Sequence, residues 1–256
     1  MRGALIAAIA VLALAGCPRP HMTRSYKEPQ VAEVIAHLQA IRTRVPTLRA
    51  ETRTDVRLGK DRANVTVLIM ATWGGKLRFQ ALNPNDSMAA DLGSDGATFC
   101  FIDVHHDCHA CGPATPENVG QLVRIVMPPD DVVTFMAGGT PLIVHDQATV
   151  RWDDDDGHEV LELSSATHTQ KIVLDGQDRR WDVLEAEVKT TDGKLVWRFR
   201  HKEFHAVGTV RMPGKSLFEQ PGESVLIDWK KQELGVEIDQ PRSWTLEIPP
   251  GLAECK

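Results

Sequence analysis

Positive charge is in short supply in this chain. Its 256 residues carry 29 Lys and Arg against 35 Asp and Glu, a formal net charge of −6. No basic stripe and no aromatic-interleaved basic patch is present, which argues against nucleic acid as a partner. Catalytic patterns are missing as well. There is no G-x-S-x-G elbow, no phosphate-cradling glycine loop and no dinucleotide fingerprint. His158-Glu159 is followed by Val160, Leu161 and Glu162, so the second histidine of a zincin helix is absent. Asp153-Asp154-Asp155-Asp156-Gly157 suggests a calcium loop, but Ser164 occupies the twelfth position, where a bidentate acid is required. An acidic hairpin turn is the simpler reading. No internal repeat and no low-complexity run appears. The chain therefore does not read as an enzyme, and no cofactor is expected.

What the sequence does have begins at its first residues. Arg2, a short apolar run from Ala4 to Ala15, then Gly16 and Cys17 describe an export signal. The run falls short of the roughly 20 apolar residues of a spanning helix, and no later run could cross a bilayer. Leu14-Ala15-Gly16-Cys17 resembles the lipobox of bacterial lipoproteins. That resemblance implies a signal peptide over residues 1–16, cleavage before Cys17 and acylation of its thiol, with palmitate-like chains holding the protein to a membrane. Pro18 in place of Asp implies the outer membrane, with the protein facing the periplasm. The polar, proline-flanked stretch that completes residues 17–29 reads as a linker. Residues 30–256 then form one domain, with enough length to bury a sizeable core.

Within that domain the hydrophobic period changes twice. Val31, Val34, Ile35, Leu38 and Ile41 recur at helical spacing, predicting a helix over about 29–44. Period-two alternation follows through Thr52–Leu58, Val65–Ala71, Leu77–Ala81, Met88–Leu92 and Ala97–Asp103. Gly59-Lys60-Asp61 and Gly74-Gly75 supply turns. Thr115-Pro116-Glu117 and Pro128-Pro129-Asp130-Asp131 are two helix starts, the second running to a stop at Gly138-Gly139. Strands return at Leu161 and Leu163, Ile172 and Leu174, Leu184 to Val188, Leu195 to Phe199, Val225 to Trp229, and Trp244 to Ile248. Each strand has one oily face. A long antiparallel sheet of this kind buries that face by curling on itself or by taking a helical cover.

This order of elements resembles the lipoprotein-localisation family of LolA and LolB. The resemblance spans roughly residues 30 to 252. It rests on Ser94-Asp95-Gly96-Ala97-Thr98-Phe99, Gly112-Pro113-Ala114-Thr115-Pro116-Glu117-Asn118, Met127-Pro128-Pro129-Asp130-Asp131 and Ala137-Gly138. The closing Gly235–Asp239 and Trp244–Gly251 stretches belong to it too. It implies a mainly β (α+β) fold: a half-open antiparallel β-barrel with helices across its concave face, its cavity holding acyl chains of lipids or lipoproteins. Candidate lining residues are Val67, Ile69, Leu77, Phe79, Leu184, Val188, Trp197 and Phe199, with Val133 and Met136 from the cover. Equally, these residues make a dry core. Arg78 stands where the carrier of the family has an arginine that holds its helical cover; as a strand residue it reads equally as an exposed cation. The connection Thr72-Trp73-Gly74-Gly75 stands where the LolB receptor has a protruding hydrophobic loop. It departs from that pattern, offering only Trp73.

The segment CFIDVHHDCHAC, residues 100–111, concentrates three cysteines and three histidines. Haem attachment is excluded because Gly112 follows Cys111. A C-x-x-C redox pair belongs at a helix start, whereas Cys108-His109-Ala110-Cys111 lies in a hairpin. Zinc remains an alternative, using Cys108 and Cys111 with His105, His106 or His109, and Cys100 as a fourth ligand. The disulfide reading comes from register. If Asp103 faces Cys108, then Cys100 faces Cys111, at a separation a disulfide can bridge. Export favours oxidation. With Cys17 lipidated, four cysteines remain, so Cys108 takes Cys255.

Three functions follow. The first is a membrane-anchored lipoprotein that binds acyl chains, lipoproteins or another amphiphile for transfer or localisation in the cell envelope. The second is an envelope scaffold with a packed interior that recruits a protein partner. The third is a metal-binding or redox lipoprotein centred on residues 100–111.

Overall fold

The structure is a computed structural model that describes residues 21–238 and 241–255. The signal segment and Cys17 lie outside the described residues. The chain begins with α1 (Val31–Gln39) and α2 (Ile41–Arg44), so the anticipated helix is present with a break at Ala40. Val34, Leu38 and Ile41 are its buried stripe.

Six strands follow as a meander: β1 (Thr47–Leu58), β2 (Asp61–Thr72), β3 (Lys76–Leu82), β4 (Met88–Asp95), β5 (Thr98–Asp103) and β6 (Cys108–Pro113). The cover helices come next. In α3 (Pro116–Val123) the Thr115 hydroxyl accepts from the Asn118 N–H at 3.3 Å, and Pro116 fills the first helical position. In α4 (Pro129–Met136) every residue from Val132 to Met136 is buried. A second run of strands then completes the sheet: β7 (Gln147–Asp153), β8 (His158–Ser164), β9 (His168–Asp175), β10 (Val183–Thr190) and β11 (Leu195–Lys202). The short hairpin β12 (His205–Val207) and β13 (Val210–Met212) precedes β14 (Lys215–Gln220), β15 (Glu223–Leu234) and a two-residue β16 (Ala253–Glu254).

Fourteen of these strands form one sheet in the order β16-β6-β5-β4-β3-β2-β1-β15-β14-β11-β10-β9-β8-β7. All pairings are antiparallel except β16 with β6. The ends do not meet, so this is the half-open barrel that the family resemblance implied. Register sorts the connections onto two rims. The first rim carries turns 73–75, 96–97, 154–157, 176–182 and 203–214. The second carries 59–60, 83–87, 104–107, 165–167, 191–194 and 221–222.

Two sequence expectations are corrected. Trp244–Ile248 alternates like a strand but pairs with none. After a 3-10 turn at Pro241–Ser243 it lies on the outer face of the sheet. Gly93 permits this approach, because a Cβ there would sit 2.8 Å from the Trp244 carbonyl oxygen. Leu184, expected on the core face, falls in a bulge of β10 between Val183 and Glu185, and Val183 takes the buried position.

The stretch anticipated as a linker is also structured where described. Arg24 donates to Glu159 through Nε at 2.8 Å and Nη2 at 3.1 Å, and the Tyr26 hydroxyl donates to the same carboxylate at 3.0 Å. Glu159 is 0% exposed. Burial pushes the Tyr26 hydroxyl up to about 12, with the neighbouring carboxylate adding to the shift.

Candidate functional site

The concave face divides into two halves. The wall made by β10, β11 and β14 is plugged by aromatic rings. Phe135 of α4 meets Phe199 at 5.1 Å, Phe218 at 5.8 Å and His201 at 5.2 Å, while Trp197 stacks on Phe199 at 5.6 Å. Four predicted cavity residues, Val133, Val188, Trp197 and Phe199, belong to the buried core cluster and stand outside the hollow on the opposite wall.

Opposite lies an aliphatic hollow of about 30 Å³ between β1, β2, β3 and β15. Of the candidate residues, Val67, Ile69, Phe79 and Met136 line it; Leu77 is buried but stands outside it. The remaining lining comes from Thr54, Val56, Val65, Ala81, Val225 and Ile227, with Ile125 above. Val56 and Val65 are only half-buried and lie towards the 59–60 turn, so the mouth opens at the second rim. Alternation marked Val56, Val65, Val225 and Ile227 as apolar-facing. Ile125 lies in an irregular stretch between helices, where no period could reveal it.

The cover over this hollow is fastened at both ends. The Val126 N–H donates to the Gln220 side chain at 3.3 Å. At the first rim the Asp130 carboxylate accepts from the Gly74 N–H at 2.8 Å and the Gly75 N–H at 3.3 Å, and pairs with Arg42. Arg42 stacks over Trp73 at 4.7 Å, and Trp73 Nε1 donates to the Val45 carbonyl at 2.9 Å. The 72–75 connection is therefore folded back as a clasp for α4. Asp131, beside Asp130 and partly buried, has its carboxyl held above the usual range, by burial first and by Asp130 second.

Arg78 does not touch the cover. It faces outward, donates to Asp91 at 2.7 and 2.6 Å, and reaches the Ser243 carbonyl at 3.3 Å. Its role is on the outer face, under the C-terminal segment.

The cysteine cluster is resolved by pairing. Cys100 bonds Cys111 across directly opposed positions of β5 and β6, and Cys108 bonds Cys255. The zinc alternative therefore lacks its thiolates. His106 Nδ1 lies 2.8 Å from Asp103, and His109 Nδ1 lies 3.0 Å from the Ala253 carbonyl.

Behind α4, His201 is the one histidine among the described residues in the buried core. Its Nδ1 lies 2.8 Å from the Ser216 hydroxyl, which also accepts from Trp229 Nε1 at 2.8 Å. Burial pushes its pKa down to about 3, opposed by the Gly139 backbone. Because the unfolded chain binds a proton near pH 6.5 and the folded one does not, stability is complete above that pH. It is lost as pH falls from 6.5 towards 3. The loss at pH 5 is about 2 kcal/mol. His37, lowered to about 4 by burial and by Arg44, adds a smaller loss in the same direction. Urea denaturation at pH 7.5 and pH 5 should show that His201→Phe flattens this dependence; an unchanged slope would refute the assignment.

No protein-family model and no curated protein matches the chain. Solved structures do. A putative outer membrane lipoprotein-sorting protein domain from Vibrio parahaemolyticus matches at TM-score 0.58 and 10% identity, covering 82% of this chain and 94% of that one. A LolA superfamily protein from Nitrosomonas europaea matches at TM-score 0.54 and 9% identity, covering 82% and 96%. A DUF1329 family protein from Desulfovibrio piger matches at TM-score 0.55 and 11% identity, covering 80% and 92%. With the open sheet, the helical cover and the half-filled interior, these likenesses show that the chain has the LolA-like half-barrel fold.

Proposed function

We propose that this chain is a lipid-anchored protein of the bacterial cell envelope, held by Cys17 to the outer membrane and facing the periplasm. Its half-barrel receives an acyl chain, a lipoprotein's lipid or another amphiphile for transfer or localisation, making and breaking no bond. The observation that carries this reading is the aliphatic hollow under a cover that is clasped rather than continuous with the sheet. Its lining offers one hydroxyl, from Thr54, among ten apolar side chains, which suits a hydrocarbon and little else. At about 30 Å³ the hollow is too small to hold an acyl chain as it stands, since ligand sites span roughly 300–1,000 Å³. Binding therefore requires the Ile125 and Met136 cover to move outward, and the ligand must offset the cost of that motion.

Protein purified from its membrane without harsh detergent is expected to carry lipid in native mass spectrometry, and the delipidated protein to bind palmitate. Val65→Trp, at the half-buried mouth, should weaken palmitate binding at least tenfold, about 1.4 kcal/mol. Leu226→Trp, at an exposed position of β15, should not. Protein that is always empty, with both variants alike, would refute the reading.

The small volume of the hollow favours a second reading, a scaffold whose interior is packed and whose outer surface recruits an envelope protein. On that reading Val65→Trp leaves partner recruitment unchanged and no lipid co-purifies.

A further inference from the structure

The segment immediately after the proposed anchor is bound to the barrel, and the place where it is bound has a consequence for the hollow. Trp152 Nε1 donates to the Met22 carbonyl at 2.7 Å, and the Met22 N–H donates to the Asp154 carbonyl at 2.6 Å. The Met22 side chain lies on Gly157, where a Cβ would come within 2.9 Å of its sulfur. Two residues on, Arg24 lies 5.4 Å over the Trp152 ring and makes its two hydrogen bonds to the buried Glu159. Tyr26 packs edge-on against Trp152 at 6.4 Å and is covered by Arg179 at 5.4 Å. This strap ends at the 154–157 turn, on the first rim. The mouth of the hollow is at the second rim.

Five Cα-to-Cα steps lead from Cys17 to Met22, and a fully extended chain of that length reaches at most about 18 Å. The strands beside the strap, β7 and β8, have seven residues, and those beside the mouth, β1 and β2, have twelve. At about 3.3 Å per residue they run some 23 to 40 Å. For the mouth to face the anchoring bilayer, that height would have to stand between Met22 and the membrane, and the tether is too short to allow it.

We infer that the docked strap holds the first rim against the anchoring membrane and turns the mouth of the hollow to the aqueous side. The inference rests on the anchor and the binding function proposed above. It adds that amphiphile exchanges with a water-borne donor rather than with the leaflet that holds the protein.

The test uses the lipidated full chain in vesicles of phosphatidylethanolamine and phosphatidylglycerol carrying a headgroup energy acceptor. With both native disulfides closed, a single introduced cysteine takes a donor dye, at Asp156→Cys on the first rim or Lys60→Cys on the second. Asp156→Cys is expected to be quenched several-fold more strongly than Lys60→Cys. Inserting ten Gly-Ser residues before His21, which leaves the fold and the strap intact, should abolish the contrast. Equal quenching of the two sites with the native tether, or stronger quenching at residue 60, overturns the inference. Failure of the protein to float with the vesicles ends both the anchor and the orientation. Failure to bind palmitate, with the quenching order as expected, ends the binding function and leaves the orientation supported.

Discussion

Replacing Arg24 by alanine is expected to destabilise the fold by about 3 kcal/mol, the lower end of the range for breaking a buried ion pair. The cost comes chiefly from what remains. Glu159 is 0% exposed, and its carboxylate accepts two hydrogen bonds from Arg24 and one from Tyr26. Without the guanidinium, a buried negative charge keeps a single phenolic donor. The lower end of the range applies because Arg24 retains contact with solvent, its side chain being 16% exposed. The effect is not a measure of the pair's net worth. Replacing both partners, Arg24→Met with Glu159→Leu, removes the charge together with its desolvation cost and should recover most of the loss. Urea denaturation at pH 7.5 measures both. A loss below 1 kcal/mol for Arg24→Ala would mean that the strap is detached in solution and that water already solvates Glu159. The orientation inferred for the barrel would then lose its support as well.

That pair also marks where the sequence was legible and where it was not. Residues 17–29 are polar and proline-flanked, and nothing local distinguishes a docked strap from a linker. A signal did exist in β8: Glu159 has the same phase as Leu161 and Leu163, so alternation places a carboxylate on the oily face. A buried acid demands a partner, but the sequence does not say that the partner lies 135 positions away. The meander, by contrast, was readable because each strand keeps one oily face and glycine marks the turns. Register in the 98–113 hairpin followed from two cysteines whose opposition is fixed by a four-residue turn. Trp244–Ile248 misled for a related reason. Alternation reports that one face is covered, and here the outer face of the sheet covers it, with Gly93 providing the space. The site itself was half legible. Val67, Ile69, Phe79 and Met136 line the hollow, whereas Trp197 and Phe199 fill the opposite wall. All six read alike as apolar strand or cover residues. Which half of a curled sheet stays open depends on where its rings stack, and that is decided across strands far apart in sequence.

Removing the Cys108–Cys255 bridge, as Cys108→Ser with Cys255→Ser, is expected to cost more than any other change considered. The bridge closes a sequence separation of 147, against 11 for Cys100–Cys111. In the chain-entropy account these closures contribute about 5 and about 3 kcal/mol. For a domain of this size the first corresponds to a fall in Tm of about 10–20 °C. The native contacts sharpen the ranking. β16 has only two residues, and besides its pairing with β6 it is held by the Cys255 N–H donating to the His109 carbonyl at 2.8 Å and by His109 Nδ1 at 3.0 Å from Ala253. So short a strand cannot hold the chain terminus alone. Once it is released, the end of the 241–255 segment is freed from β6, and its packing over Gly93 and the Arg78 hydrogen bond to the Ser243 carbonyl become easier to open. Cys100 and Cys111, by comparison, sit in a hairpin with a six-residue ladder that persists without them. Thermal melts of the two double-serine variants, with hydrogen exchange over 241–255, measure this directly. The larger Tm loss and the faster exchange should both belong to the Cys108–Cys255 variant. An equal or reversed ranking would mean that the C-terminal segment is held by its packing on the outer face of β3 and β4, and that the bridge merely records its position.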